Sequence, residues 1–433
     1  MADKLAISGG TPVRRRPFPP RQTIGDEEKK AVLEVMDSGN LSAFFGSPGP
    51  EFMGGEKIRA FESAWARKFG YRHAVTVNSW TSGLVAAVGA VGIEPGDEVI
   101  CTPYTMSASA TAILMWGGIP VFADIDPDSF CLDPKAVDAA ITPRTKAIMV
   151  VHLFGCPADM DEIMAIARRH GLRVIEDAAQ APGATYKGKP VGALADIGGF
   201  SLNYHKHIHT GEGGVVVCND DTLARRCQMI RNHGENVVED WGVDDIGNMI
   251  GANYRLTELQ AAIGIEQLKR LDGLLEWRQK LARRLDGKLK DLPGIKVPRL
   301  PSDRTHSYYC YPIRYDQDVT GVSREHFIEA VNAELPEMVT SDDMPLGGGY
   351  VEPLYLSPLY QRRIAFGKRH FPFSLVENGP DYAKGLCPVT ERMFERELML
   401  SSIVREPLTT DDMDDFAAAI EKVLGNLDEL RDR

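Results

Sequence analysis

The chain has 433 residues, 43% of them hydrophobic, and a formal net charge of −12. That length exceeds one ordinary domain and is ample for a large core, and the acidic balance leaves no broad basic surface, so nucleic acid is not an expected partner. The seven cysteines are odd in number, scattered and without a CxxC spacing, which argues against a disulfide framework and for a reducing, cytoplasmic setting. No apolar leader opens the chain and no apolar run nears the roughly 20 residues of a membrane span, so no membrane is expected.

Residues 1–25 contain Gly9-Gly10-Thr11-Pro12 and Pro17-Phe18-Pro19-Pro20 and read as an extended arm, with Arg14-Arg15-Arg16 a solvated cluster on it. Asp26-Glu27-Glu28 places acids in the first turn of a helix that should stop near Ser38-Gly39. Residues 42–55 are a Gly/Pro-rich loop, and 58–69 form an amphipathic helix closed by Gly70. From residue 73 the pattern alternates. Strands are predicted at 74–77, 98–101, 120–123, 147–152 and 172–175, with helices at 84–91, 107–116, 134–140 and 160–170 between them. This is the pattern of a mainly parallel sheet covered by helices on both faces, in which ligands bind beyond the carboxyl ends of the strands. Asn78, Pro103, His152, Asp177 and Lys206 all fall at or near such ends. A long helix begins at 257 and stays helical to about 289. Beyond 294 the chain reads as a smaller α+β unit, with strand candidates at 308–314, helices at 324–335 and 410–427, and loops over 341–390 that could line a site. The expected division is an arm over 1–25, a large α/β domain over 26–290 and a small C-terminal α+β domain over 291–433.

The chemistry centres on Lys206. It lies in a run from Phe200-Ser201 to Gly213-Gly214, between two strand-like stretches. Alone, such a lysine is an ordinary solvated loop residue. Twenty-nine residues upstream, the apolar strand Val174-Ile175-Glu176-Asp177 ends in an acid. A lysine and a carboxylate at two strand ends suit pyridoxal phosphate: the lysine makes a Schiff base and the carboxylate keeps the pyridine nitrogen protonated. Val77-Asn78-Ser79-Trp80-Thr81-Ser82-Gly83 joins a strand to a helix and leaves backbone N–H groups for a phosphate, although an ordinary N-cap has the same composition.

The ordered motifs resemble the DegT–DnrJ sugar aminotransferases, fold-type-I pyridoxal-phosphate enzymes. They are Gly96-Asp97-Glu98-Val99-Ile100, Pro120 to Pro127, Val151-His152-Leu153-Phe154-Gly155, Ile175 to Gln180, Phe200 to Lys206, Thr210 to Gly214, and Asn253-Tyr254-Arg255-Leu256-Thr257-Glu258. The resemblance implies a large pyridoxal-phosphate domain in which Lys206 is the Schiff-base lysine and proton carrier. Asp177 pairs with the pyridinium nitrogen, Gln180 faces the phenolic oxygen, and Thr81, Ser82 and Ser201 hold the phosphate. Asn253, or else Arg255, completes the phosphate site from a partner subunit, which makes the active unit a homodimer with a shared site.

Two positions depart from the family. Met106 stands where an aromatic residue often stacks on the cofactor ring, leaving open whether Met106 or Tyr104 does so. Trp80 replaces a small residue, with core packing preferred over a substrate role. His205, His207 and His209 alternate, which could build a metal site on a strand face, but with the lysine explained no metal is expected. His205, His233 and Tyr104 are candidate substrate contacts, His233 being equally a loop cap. Relatives with histidine in place of the lysine dehydrate their substrates. Lys206, five residues after Ser201, favours transamination. The implied reaction moves an amine from glutamate or glutamine to a keto-sugar, nucleotide-linked in many relatives, with keto-cyclitols of antibiotic pathways as the alternative acceptors. A non-catalytic cofactor-binding regulator is the contrasting class, and no basic recognition helix supports it.

Overall fold

The computed structural model describes residues 4–336 and 345–431. Nine strands precede the long helix: β1 (His73–Val77), β2 (Glu98–Cys101), β3 (Ile119–Phe122), β4 (Thr145–Val151), β5 (Arg173–Asp177), the short ribbon β6 (Thr185–Tyr186) and β7 (Lys189–Pro190), β8 (Ile197–Ser201) and β9 (Gly214–Cys218). Seven of them form one sheet in the order β1-β9-β8-β5-β4-β2-β3. β9 runs against both of its neighbours, and the other four pairings are parallel. The carboxyl ends of β1, β2, β4, β5 and β8 therefore share one edge.

Both faces are buried, and the period of two sorts the side chains between them. Ile148, Val150, Val215 and Val217 pack into one core with α2 (Glu56–Phe69), α6 (Met160–His170) and the first half of α8 (Glu258–Leu289). Ala147, Met149, Val216 and Ile197 face the other, with α3 (Trp80–Ala90), α4 (Ala108–Met115) and α7 (Asp221–Arg231). α3 is apolar almost all round because it lies between the sheet and other helices. The remaining helices of this half are α1 (Asp26–Ser38) and α5 (Pro134–Ala139). Thr257 and Gln260 form a capping box that starts α8.

A second, antiparallel sheet has the order β10-β11-β13-β12, from β10 (Ile295–Lys296), β11 (Tyr311–Tyr315), β12 (Gly347–Gly348) and β13 (Leu398–Ser401). Helices Arg324–Ala333 and Thr410–Leu424 and the end of α8 close its core. No helix among the described residues is long and apolar enough to cross a membrane.

Several expectations need correction. The arm packs on the C-terminal half: Leu5 and Phe18 are buried in its core, and Glu334 accepts from the amides of Ala6 (2.7 Å) and Val13 (3.1 Å). Arg14 is not solvated but pairs with Asp412 and Asp415, both at 2.8 Å, and lies over the Phe18 ring. Of the predicted loops over 341–390, residues 341–344 lie outside the described residues. Most of the rest covers the β3 edge, where Tyr355, Tyr360 and Tyr382 pack on Phe122. The predicted strand at 308–314 begins only at Tyr311, and α7 and β13 are elements the pattern did not reveal.

Candidate active site

A cleft of about 400 Å³ opens at the carboxyl edge of the large sheet. Ser79, Trp80 and Thr81 reach it from the turn after β1, Thr105 and Met106 from the turn after β2, Asp177 and Gln180 from β5, and Ser201 and Lys206 from β8. Lys206 sits in the loop joining β8 to β9, whose ends are tied by Leu202 N–H to Gly213 O (2.9 Å) and Thr210 N–H to Leu202 O (3.0 Å). From behind, Arg21 of the arm donates to the carbonyl of Tyr204 (2.8 Å) and to that of Lys206 itself. The Lys206 Nζ lies 4.3 Å from the centre of the Tyr309 ring. Burial pushes this amine down to about 8, against the opposing pull of the Asp177 carboxylate and the Cys310 thiol.

The Asp177 carboxylate is held by two side-chain donors. Trp80 Nε1–H donates to Oδ1 at 2.7 Å and Ser109 Oγ–H to Oδ2 at 2.8 Å. The indole reaches it because the sheet is bare beneath. A Cβ on Gly199 would stand 2.3 Å from the ring, and one on Gly83 2.6 Å. Trp80 is thus packed in the core, as expected, and also fastens the acid.

At the other end of the cleft, Ser79 caps α3 by accepting from Ser82 N–H at 3.1 Å. The first-turn amides of Trp80 and Thr81 have no intrahelical acceptor, and the helix dipole favours an anion there. The Thr81 and Ser201 side chains line the cleft beside them. Gln180 Oε1 accepts from Phe154 N–H (2.7 Å) and its Nε2 donates to Tyr350 Oη (2.9 Å).

Lys206, Asp177, Thr81, Met106, Gln180, Ser201 and His205 therefore meet in one cleft, as the sequence suggested. Ser82 stands beside it, donating to Asn78 Oδ1 at 2.7 Å. Tyr104 does not belong: it is 0% exposed and packs edge-on against Tyr350, whereas Met106 is 60% exposed at the mouth. His233 is also outside. It takes a left-handed conformation (φ 58°) at the start of the turn Gly234–Asn236, without a side-chain capping hydrogen bond. The three alternating histidines diverge: His207 is buried against Ser307 O (2.9 Å) and His209 bonds Thr23 of the arm. Asn253 and Arg255 lie outside this chain's own cleft, bonded to each other at 2.8 Å. Sequence reasoning missed Ser109, Tyr309 and Tyr350. The aromatic run Tyr308-Tyr309-Cys310-Tyr311 carried a signal for Tyr309. Tyr350 fell within the 341–390 loops expected to line a site, but nothing in that run singled it out.

The sequence profile of the DegT/DnrJ/EryC1/StrS aminotransferase family matches residues 22–421. The chain belongs to that family. This aminotransferase is 38% identical to an L-glutamine:2-deoxy-scyllo-inosose aminotransferase of Streptomyces lividus, over 98% of each chain. Its fold superposes on an aminotransferase from Psychrobacter cryohalolentis with a TM-score of 0.80 and 32% identity, covering 95% of this chain and 100% of the other. It also superposes on the E. coli GDP-4-keto-6-deoxy-D-mannose-3-dehydratase with bound hydrated pyridoxal phosphate, with a TM-score of 0.75 and 25% identity, covering 94% and 99%. The aminotransferase is a fold-type-I, pyridoxal-phosphate-dependent enzyme. Its cleft suits that cofactor chemically: an amine made more easily neutral by burial, a carboxylate fixed by two donors, and a hydroxyl-lined helix N-terminus for the phosphate.

Proposed function

We propose that this aminotransferase transfers an amine from glutamine to a keto-cyclitol, with Lys206 and Asp177 as its catalytic pair. When bound, pyridoxal phosphate supplies an aldehyde carbon and a conjugated ring that accepts electrons from the substrate carbon. Lys206 would hold the cofactor through Nζ and would carry the proton at the substrate carbon. Asp177 holds a proton at the ring nitrogen. Thr81, Ser82, Ser201 and the first turn of α3 hold the phosphate. Met106 at the mouth would cover the ring, Gln180 would face the phenolic oxygen, and His205 would border the substrate side. Asn253 and Arg255 come from a second copy, so the working unit is a homodimer. The odd number and scatter of the seven cysteines support a cytoplasmic setting.

The observation that carries the reading is the half-buried Lys206, its amine shifted down, sharing one cleft with the doubly fastened Asp177. The cyclitol acceptor and glutamine donor are supported by the relatives, among them a scyllo-inosose aminotransferase of Streptomyces griseus at 36% identity over 99% of this chain. A second acceptor class, nucleotide-linked keto-sugars, is favoured by the superposition on the GDP-sugar enzyme. Incubation with glutamine and each ketone class decides between them. Turnover of an inosose but not of a nucleotide-linked keto-sugar is the expected result, and turnover of neither removes both acceptor assignments.

A further inference from the structure

The hydrogen bonds around Gln180 fix more than its own position. Phe154 N–H can only donate, so the Gln180 side chain must turn its carbonyl oxygen toward it, at 2.7 Å. That leaves the amide nitrogen facing Tyr350 Oη at 2.9 Å, where it donates. The tyrosine oxygen is therefore an acceptor in this pair, and its own hydrogen is left to give. Among the described hydrogen bonds that hydrogen has no acceptor, and Tyr350 lines the cleft with Gln180, Asp177 and Lys206. The Gln180 amide also retains a second hydrogen. Two donors 2.9 Å apart thus share one wall of the site.

The ring that carries the hydroxyl is well anchored. Phe154 and Tyr104 meet it edge to face, with centroids at 5.2 and 6.0 Å. Burial holds the Tyr350 hydroxyl above the usual tyrosine range, so it stays protonated across the working pH range. Two fixed donors side by side suit an oxygen that bears negative charge. The cofactor this enzyme uses has one such atom away from its phosphate, the phenolic oxygen of the ring.

We propose that Tyr350, reaching in from the C-terminal half, is a second hydrogen-bond donor to that phenolic oxygen, beside the Gln180 amide. The inference rests on the cofactor arrangement proposed above. A donor at this oxygen stabilises its anionic form and so favours loss of the proton shared with the Lys206 nitrogen. Removing the donor must raise the pH at which that proton leaves.

The experiment is a pH titration of the absorbance of the cofactor-loaded protein, with Lys206→Ala as reference. Tyr350→Phe keeps the ring and its packing and loses only the hydroxyl. Its midpoint should rise by about one pH unit, the size of one hydrogen bond to a charged oxygen. Incorporation of 3-fluorotyrosine at position 350, a stronger donor of nearly the same size, should move the midpoint down, and this holds even if the phenylalanine variant folds poorly. Unchanged midpoints in both proteins, with the Lys206-dependent band intact, would overturn the Tyr350 assignment alone. Absence of any Lys206-dependent band in the wild-type protein would instead overturn the cofactor arrangement beneath it. A raised KM for the ketone with an unmoved midpoint would assign the hydroxyl to the substrate and also refute the proposal.

Discussion

At the scale of single residues, the site works by making one amine reactive without losing its partner. A lysine in water is almost fully protonated at neutral pH and cannot attack an aldehyde. Burial lowers the Lys206 amine to about 8, while Asp177 opposes the shift. The sign of the consequence is fixed: the protonated form dominates below that value and the neutral, nucleophilic form above it. Loading of the cofactor-free protein with pyridoxal phosphate should therefore speed up as pH rises, with a midpoint near 8, followed by the growth of its absorbance band. Lys206→Ala should show no band at any pH. A midpoint near the free-lysine value would mean that the amine is not buried as described.

At the scale of elements, the legible parts were those whose signal is local. α1, α2, α6 and α8 end or begin within a few residues of their predicted limits because acids, capping residues and glycines sit at their boundaries. Asp177 was legible because it closes an apolar strand, and Lys206 because it lies in a glycine-rich loop between two strand-like stretches. What stayed hidden depends on contacts between distant segments, as with Ser109 reaching Asp177, Arg21 reaching the Lys206 loop and Tyr350 reaching Gln180. Trp80 shows the same limit. Its place at the start of α3 suggested packing, but only the glycines of β8 and α3 show why an indole fits there and why its N–H finds Asp177. The pairing between α3 and the sheet can be tested in two steps. Trp80→Phe keeps most of the volume but leaves the carboxylate short of a donor, and should cost about 1–3 kcal/mol in denaturant unfolding. Trp80→Ala adds a cavity and should cost about 3–5 kcal/mol. Equal losses would mean that the hydrogen bond, not packing, is what the indole supplies, and a negligible loss in Trp80→Phe would mean the reverse.

At the scale of the whole molecule, the described residues lining the cleft of one chain include no arginine and no lysine besides Lys206. Arg255 and Asn253 sit together on the surface instead, and Asn253 is exposed. Nearby in sequence, Ile246 and Ile250 are 62% and 76% exposed, an apolar surface that a partner would cover. In a two-fold dimer the same patch of each copy serves the other's site. If the proposed sharing holds, Lys206→Ala and Arg255→Ala should fail for different reasons and repair each other. In the mixed dimer one site carries both defects, while the other joins an intact Lys206 from one chain to an intact Arg255 from its partner. Refolding the two variants together in equal amounts puts half of the dimers in the mixed form, each with one of two sites whole, so activity should return to about a quarter of wild type. Each variant alone should stay well below that, and mixing the native dimers without unfolding should restore less. If co-refolding restores nothing, Arg255 serves its own chain or none, and the shared site is wrong; Asn253→Ala put through the same mixing shows which of the two side chains crosses the interface.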